Sequence, residues 1–154
     1  MSFQFTIKRK LIGSSLLGLG FVLLVGATGF VACSKLADAA AQSAIADSAL
    51  KNQLQADMMH DALRGDVLRA QLAGLKKDAS ESKEIREALA EHSKVFKDAL
   101  NELEALPLDA QMRGATAKLK PALDQYLQSA MTVTELALTD AASADAHLPA
   151  FQKA

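Results

Sequence analysis

Residues 11 to 33 read LIGSSLLGLGFVLLVGATGFVAC, an unbroken apolar run without a single charged side chain. A helix needs about 20 such residues to cross the hydrocarbon core of a bilayer. A helix apolar on every side has no face to offer water. The run therefore predicts a transmembrane helix over 11–33. Its glycines, Gly13, Gly18, Gly20, Gly26 and Gly29, would weaken a helix in water, but they are common in membrane helices, where they allow close helix approach. Lys8, Arg9 and Lys10 stand immediately before the run, and Lys35 alone follows soon after. Positive charge is retained on the cytoplasmic side. The expected topology is thus a cytoplasmic N-terminus over 1–10 and an exported remainder over 34–154.

Two other readings of the same segment compete with the anchor. A cleaved signal peptide has an apolar region of about 7–15 residues, shorter than this one. A lipoprotein would acylate Cys33, but Phe30 is a poor start to such a motif even though Ala32 supplies the small residue before the cysteine. Cys33 is the only cysteine, so no intramolecular disulfide forms. The uncleaved anchor is preferred to both.

The rest of the chain is Ala- and Leu-rich, sparse in β-branched residues, and only 5% of the whole chain is aromatic, with no Trp. Such a composition favours long helices over sheets. Beyond the first ten residues there are fourteen basic and eighteen acidic side chains. That balance argues against nucleic acid, whose phosphates require clustered Lys and Arg.

Apolar spacing then divides the exported part into helices. On the first, Leu50, Leu54, Met58, Asp61, Gly65, Leu68, Leu72 and Leu75 recur at steps of three and four, a heptad-like seam expected to face the core. No proline interrupts Ser34 to Lys76, so the membrane helix is expected to run on as a single rod. At about 1.5 Å per residue its exported stretch would measure roughly 60 Å. Lys77-Asp78-Ala79-Ser80 marks a turn, with Asp78 or Ser80 as the next cap and Glu81 placed for a capping box. The second helix carries Ile85, Leu89, His92, Phe96, Ala99, Leu103 and Leu106 on one face, and Pro107 ends it. Asp109 caps a third helix bearing Met112, Thr116, Leu119, Leu123, Tyr126, Ala130, Val133 and Ala137. Pro121 is expected to kink that helix or divide it. Thr139 through Asp145 reads as another break, with a fourth helix opening at His147. The predicted fold is all-α: a transmembrane helix continuing into an antiparallel up-down four-helix bundle whose fourth helix is incomplete. A fragment of a longer chain is the favoured explanation.

The order of these parts resembles the N-terminal portion of bacterial methyl-accepting chemotaxis proteins. A short basic start precedes a Gly-rich membrane helix and a long helix carrying Asp57-Met58-Met59-His60-Asp61-Ala62-Leu63-Arg64-Gly65-Asp66-Val67-Leu68. The segments Ala105-Leu106-Pro107-Leu108-Asp109, Leu136-Ala137-Leu138-Thr139-Asp140 and Leu148-Pro149-Ala150-Phe151 are similar to the same family. The resemblance implies a homodimeric chemotaxis receptor in the bacterial inner membrane. Its periplasmic bundle would bind a small molecule or a loaded binding protein. A second membrane helix, a HAMP element and a cytoplasmic hairpin would carry the signal onward, and these parts are not in this sequence. A membrane- or lipid-anchored structural bundle that pairs with another envelope protein is the alternative.

No catalytic constellation, phosphate loop or metal motif is present in the sequence, so neither an enzyme nor a cofactor is expected. His60, His92 and His147 are far apart along the chain. One feature is less bland. Measured from the turns near residues 78 and 140, equal helical rise places Arg64, His92 and Tyr126 at one height. Asp61, one turn from Arg64, is placed to pair with it. The expectation is a polar layer of Asp61, Arg64, His92 and Tyr126 across the bundle, as a ligand site. The competing reading, rated higher, is that such a layer merely fixes helix register.

Overall fold

The computed structural model describes residues 7–77 and 79–153. Among them the chain is all-helical: α1 (Ile7–Lys76), α2 (Ala79–Ala105), α3 (Ala110–Thr139) and α4 (Ala141–Lys153). Contacts divide the chain into two units, Met1–Ala44 and Ile45–Ala154. In the first unit every described residue of α1 is exposed, including Leu16, Leu17, Phe21, Leu24 and Phe30. Its hydropathy and length meet the requirement for crossing a membrane.

In the second unit the helices pack in an up-down order that surface ion pairs record. Along α2 the charged residues advance from Arg86 to Lys97 to Glu104. Their partners on α3 retreat from Glu135 to Asp124 to Lys120. Only antiparallel neighbours pair in this way. Between α1 and α3 both numbers rise together, from His60 beside Tyr126 to Gly74 beside Ala137, so these two run parallel. The core changes calibre along the bundle. Toward the Lys77 and Asp140 turns it is built of Ala70, Ala73, Ile85, Ala137 and Ala144. Further down it widens into Leu63, Val67, Leu89, Leu100, Tyr126, Leu127 and Phe151. Small side chains at the first end let α1 and α3 approach so closely that a Cβ on Gly74 would overlap the Ala137 carbonyl oxygen.

The helix ends follow from local chemistry. Asp109 has an extended backbone and its carboxylate accepts from the Met112 N–H at 2.7 Å, capping α3 as expected. Pro107 follows the end of α2. Pro121 divides nothing, since α3 runs through it unbroken from Ala110 to Thr139. Ser80 lies inside the first turn of α2 and is not its cap; the alternative cap, Asp78, lies outside the described residues. Lys77 closes α1 in the left-handed region with φ of 54°, the conformation that commonly terminates helices.

The break expected over Thr139 to Asp145 shrinks to Asp140 alone. Its amide donates to the Leu136 carbonyl at 2.6 Å, finishing α3. Its carboxylate accepts from the Ser143 hydroxyl at 2.5 Å and from the Ser143 amide at 3.4 Å, which starts α4 at once. These bonds to Ser143, the hydroxyl first, hold the Asp140 carboxyl below its ordinary range.

The seam expected on α1 is not the face that packs. Leu50, Leu54, Met58, Leu68, Leu72 and Leu75 are exposed, Leu68 to 58%. The packed face is Ala49, Asn52, Leu63, Asp66, Val67, Ala70 and Ala73, with Leu63 at 0%. At about 100° per residue the two faces lie on opposite sides of the helix, about 180° apart. The face with small residues wins inside the bundle because it allows close packing against α2 and α3, leaving the leucine-rich stripe uncovered.

Candidate functional site

Of the four residues expected to form a polar layer, the structure brings two into the bundle and leaves two at its surface. Tyr126 is buried and His92 half-buried, whereas Asp61 and Arg64 are exposed. The partner given to Asp61 is His60, at 3.6 Å. The displacement has the same cause as the misplaced seam: Asp61 and Arg64 belong to the part of α1 that turns away from α2.

Asp66 fills the position that Asp61 and Arg64 were expected to hold. Its carboxylate is buried and meets His92 Nδ1 at 2.6 Å, joining α1 to α2. The spacing of Asp66 from Leu63 and Ala70, its neighbours on the packed face, was readable in the sequence. The leucines of the other stripe concealed it, because they are the more hydrophobic set.

Tyr126 sits at a second junction. Its ring stacks on His60 of α1 at 5.1 Å between centroids and on Phe151 of α4 at 5.2 Å. Its hydroxyl donates to the His60 carbonyl at 3.3 Å. One residue from each of three helices is thereby held in a ladder of rings. Burial pushes the Tyr126 hydroxyl up to about 12; Arg64 opposes the shift and Asp61 adds to it. The two exposed residues therefore act on the tyrosine through their fields.

Beneath this ladder α1, α2 and α3 border an open groove of about 560 Å³. Its walls are mostly apolar, with Leu54, Phe96, Leu103 and Leu119, and its polar groups are Gln53, Asp57, His60 and Tyr126. A smaller groove of about 450 Å³ between α3 and α4 is lined by Gln125, Gln128, Thr132 and His147. The His147 Nδ1 faces the Ser143 carbonyl at 2.9 Å, and the residue is exposed.

No curated protein and no solved structure matches the chain. A family model described as a four-helix-bundle sensory module for signal transduction matches residues 4–148. That match takes in the apolar segment of α1 and nearly the whole bundle, so the chain belongs to the family of four-helix-bundle sensory modules for signal transduction.

Proposed function

We propose that this chain is the sensory part of a transmembrane chemoreceptor, with α1 anchoring it in the bacterial inner membrane and the bundle in the periplasm. The observation that carries this reading is the reach of the family match, residues 4–148, through both the apolar segment and the bundle. The basic residues Lys8, Arg9 and Lys10 before the apolar run support a cytoplasmic N-terminus. The domain division is then 1–10 cytoplasmic, 11–33 transmembrane and 34–154 sensory.

The active unit is a homodimer in this reading. Leu50, Leu54, Met58, Leu68, Leu72 and Leu75 form an exposed stripe at heptad-like spacing, the pattern that pairs helices. Asp61 and Gly65 interrupt the stripe, and Asp61 with the neighbouring Arg64 supplies polar groups where two copies would meet. The ligand is a small molecule or a loaded binding protein, recognised near that interruption, with His92 and Tyr126 setting the packing behind it.

A hybrid receptor tests the function: this chain joined to the signalling half of a chemoreceptor whose output is known. Swimming responses are scored against a panel of amino acids and organic acids. At least one compound should evoke a response, and Arg64→Ala should weaken it without lowering receptor abundance. A hybrid that assembles in the membrane yet answers to nothing sinks the small-molecule reading. The dimer is tested in a Cys33→Ser background, where Leu68→Cys should cross-link much faster than Lys94→Cys. Equal rates would remove the dimer.

A further inference from the structure

The groove beneath the Tyr126 ladder plays no part in the dimer or in the site at the stripe's interruption. Its volume of about 560 Å³ falls within the range of small-molecule sites, about 300–1,000 Å³. Leu100, Leu123 and Tyr126 are buried at its base, while Leu54 and Leu119 stay 54% and 53% exposed. Half-buried Phe96 and Leu103 of α2 complete the apolar wall. Contiguous apolar surface left open to water in this way marks a place that another molecule covers.

The charge in the groove has one sign. Asp57 is the single Asp, Glu, Lys or Arg among the residues that line it. Among the described residues no ion pair neutralises that carboxylate. The positions one turn away on α1 are Gln53, Leu54, His60 and Asp61, so no Lys or Arg stands near it along the helix and a second acid does. The lysines of the neighbouring helices that lie closest in sequence to the groove, Lys97 and Lys120, are engaged by Asp124 and Glu104. Tyr126 stays a neutral phenol, since burial pushes its hydroxyl up to about 12. Gln53 adds an amide beside Asp57 that can accept a further hydrogen bond.

We propose that this groove is a binding site for a small organic cation, a primary amine carrying one ring-sized apolar body. The body lies against Leu54, Phe96, Leu103 and Leu119, and burial of its surface supplies most of the affinity. The ammonium group sits at the Asp57 carboxylate and the Gln53 amide oxygen. The carboxylate decides which charge is accepted, since complementary charge chiefly confers specificity. Neutral molecules of the same shape lose that pairing, and anions meet repulsion.

The chain carries its own reporter. Tyr126 is its single tyrosine, there is no Trp, and the ring borders the groove. Tyrosine emission of the full chain in detergent micelles is followed while phenethylamine, phenethyl alcohol or hydrocinnamate is added. Phenethylamine should give a saturable change and bind about fivefold more tightly than the alcohol, the upper range for an exposed ion pair; hydrocinnamate should bind more weakly than either. Asp57 is exposed, so Asp57→Asn leaves the fold intact and should erase the preference of amine over alcohol. Ala122→Phe fills the groove from α3 and should abolish the response to all three compounds, with helicity unchanged by circular dichroism. Equal binding of amine and alcohol to the wild-type chain overturns the proposal, and so does an amine preference that survives Asp57→Asn. A flat titration of a folded chain overturns it too, as it would if the groove seats a helix instead. Because binding is read directly, a hybrid receptor that answers to nothing would leave this result standing.

Discussion

At the scale of single residues, the caps and buried polar groups make the sharpest demands. Asp109 satisfies an amide at the start of α3 that would otherwise lack a helical partner. Asp109→Ala should therefore cost about 1 kcal/mol, read as a lowered urea midpoint with an unchanged slope. Tyr126 gives a pH dependence with a definite sign. Its hydroxyl is held at about 12 in the folded bundle by burial, against about 10 in an unfolded chain. The folded state retains that proton more tightly, so the contribution is complete below pH of about 10 and is lost as pH climbs toward about 12. Ultraviolet titration of the chain's single tyrosine should show phenolate appearing late, and Tyr126→Phe should remove the alkaline fall in stability attributable to it. An ordinary titration near 10 would mean that the ring is not buried as described.

At the scale of elements, two glycines in helices have opposite expected behaviour. Gly74 lies where α1 meets the backbone of α3, and an added methyl would strike the Ala137 carbonyl. Gly74→Ala should destabilise by about 1–3 kcal/mol, since a backbone atom must move to admit it. Gly114 in α3 has open space where a Cβ would go, so Gly114→Ala should stabilise by up to about 1 kcal/mol through helix propensity alone. Guanidinium denaturation of both variants checks the contrast. Equal effects would deny the close approach of α1 and α3. The elements themselves were largely readable in advance. The limits of α2, the Asp109 cap and the buried face of α3 from Leu123 to Ala137 follow the periodicity and punctuation of the chain. The start of α4 was not legible, because one aspartate both ends α3 and opens α4, and a run of Ala, Ser and Asp looks like a loop until its carboxylate is seen on Ser143.

At the scale of the whole molecule, one apolar face of α1 is used within the chain and the other is left uncovered. Leu63 is fully buried and Leu68 mostly exposed, although they are five positions apart on one helix. Leu63→Ala should cost about 2–5 kcal/mol of bundle stability. Leu68→Ala should leave the fold of a single chain nearly unchanged and, if the proposed dimer forms, weaken only that association. Thermal unfolding and sedimentation of the two variants in detergent separate these outcomes. A large loss of fold in Leu68→Ala would place that stripe in the core after all.

The sequence by itself determined the apolar segment over 11–33, the all-helical class, the order of helices and most of their ends. These depend on composition, period and local capping, all of which are properties of neighbours along the chain. Tertiary structure alone decided which of two apolar stripes on α1 turns inward. Periodicity marks both stripes as buriable, and only the space available between α2 and α3 selects the one with small residues. That choice moved the buried carboxylate from Asp61 to Asp66 and set it against His92. Rotating a helix by one residue, about 100°, exchanges its whole set of facing side chains, so a site built across helices is fixed by their mutual rotation.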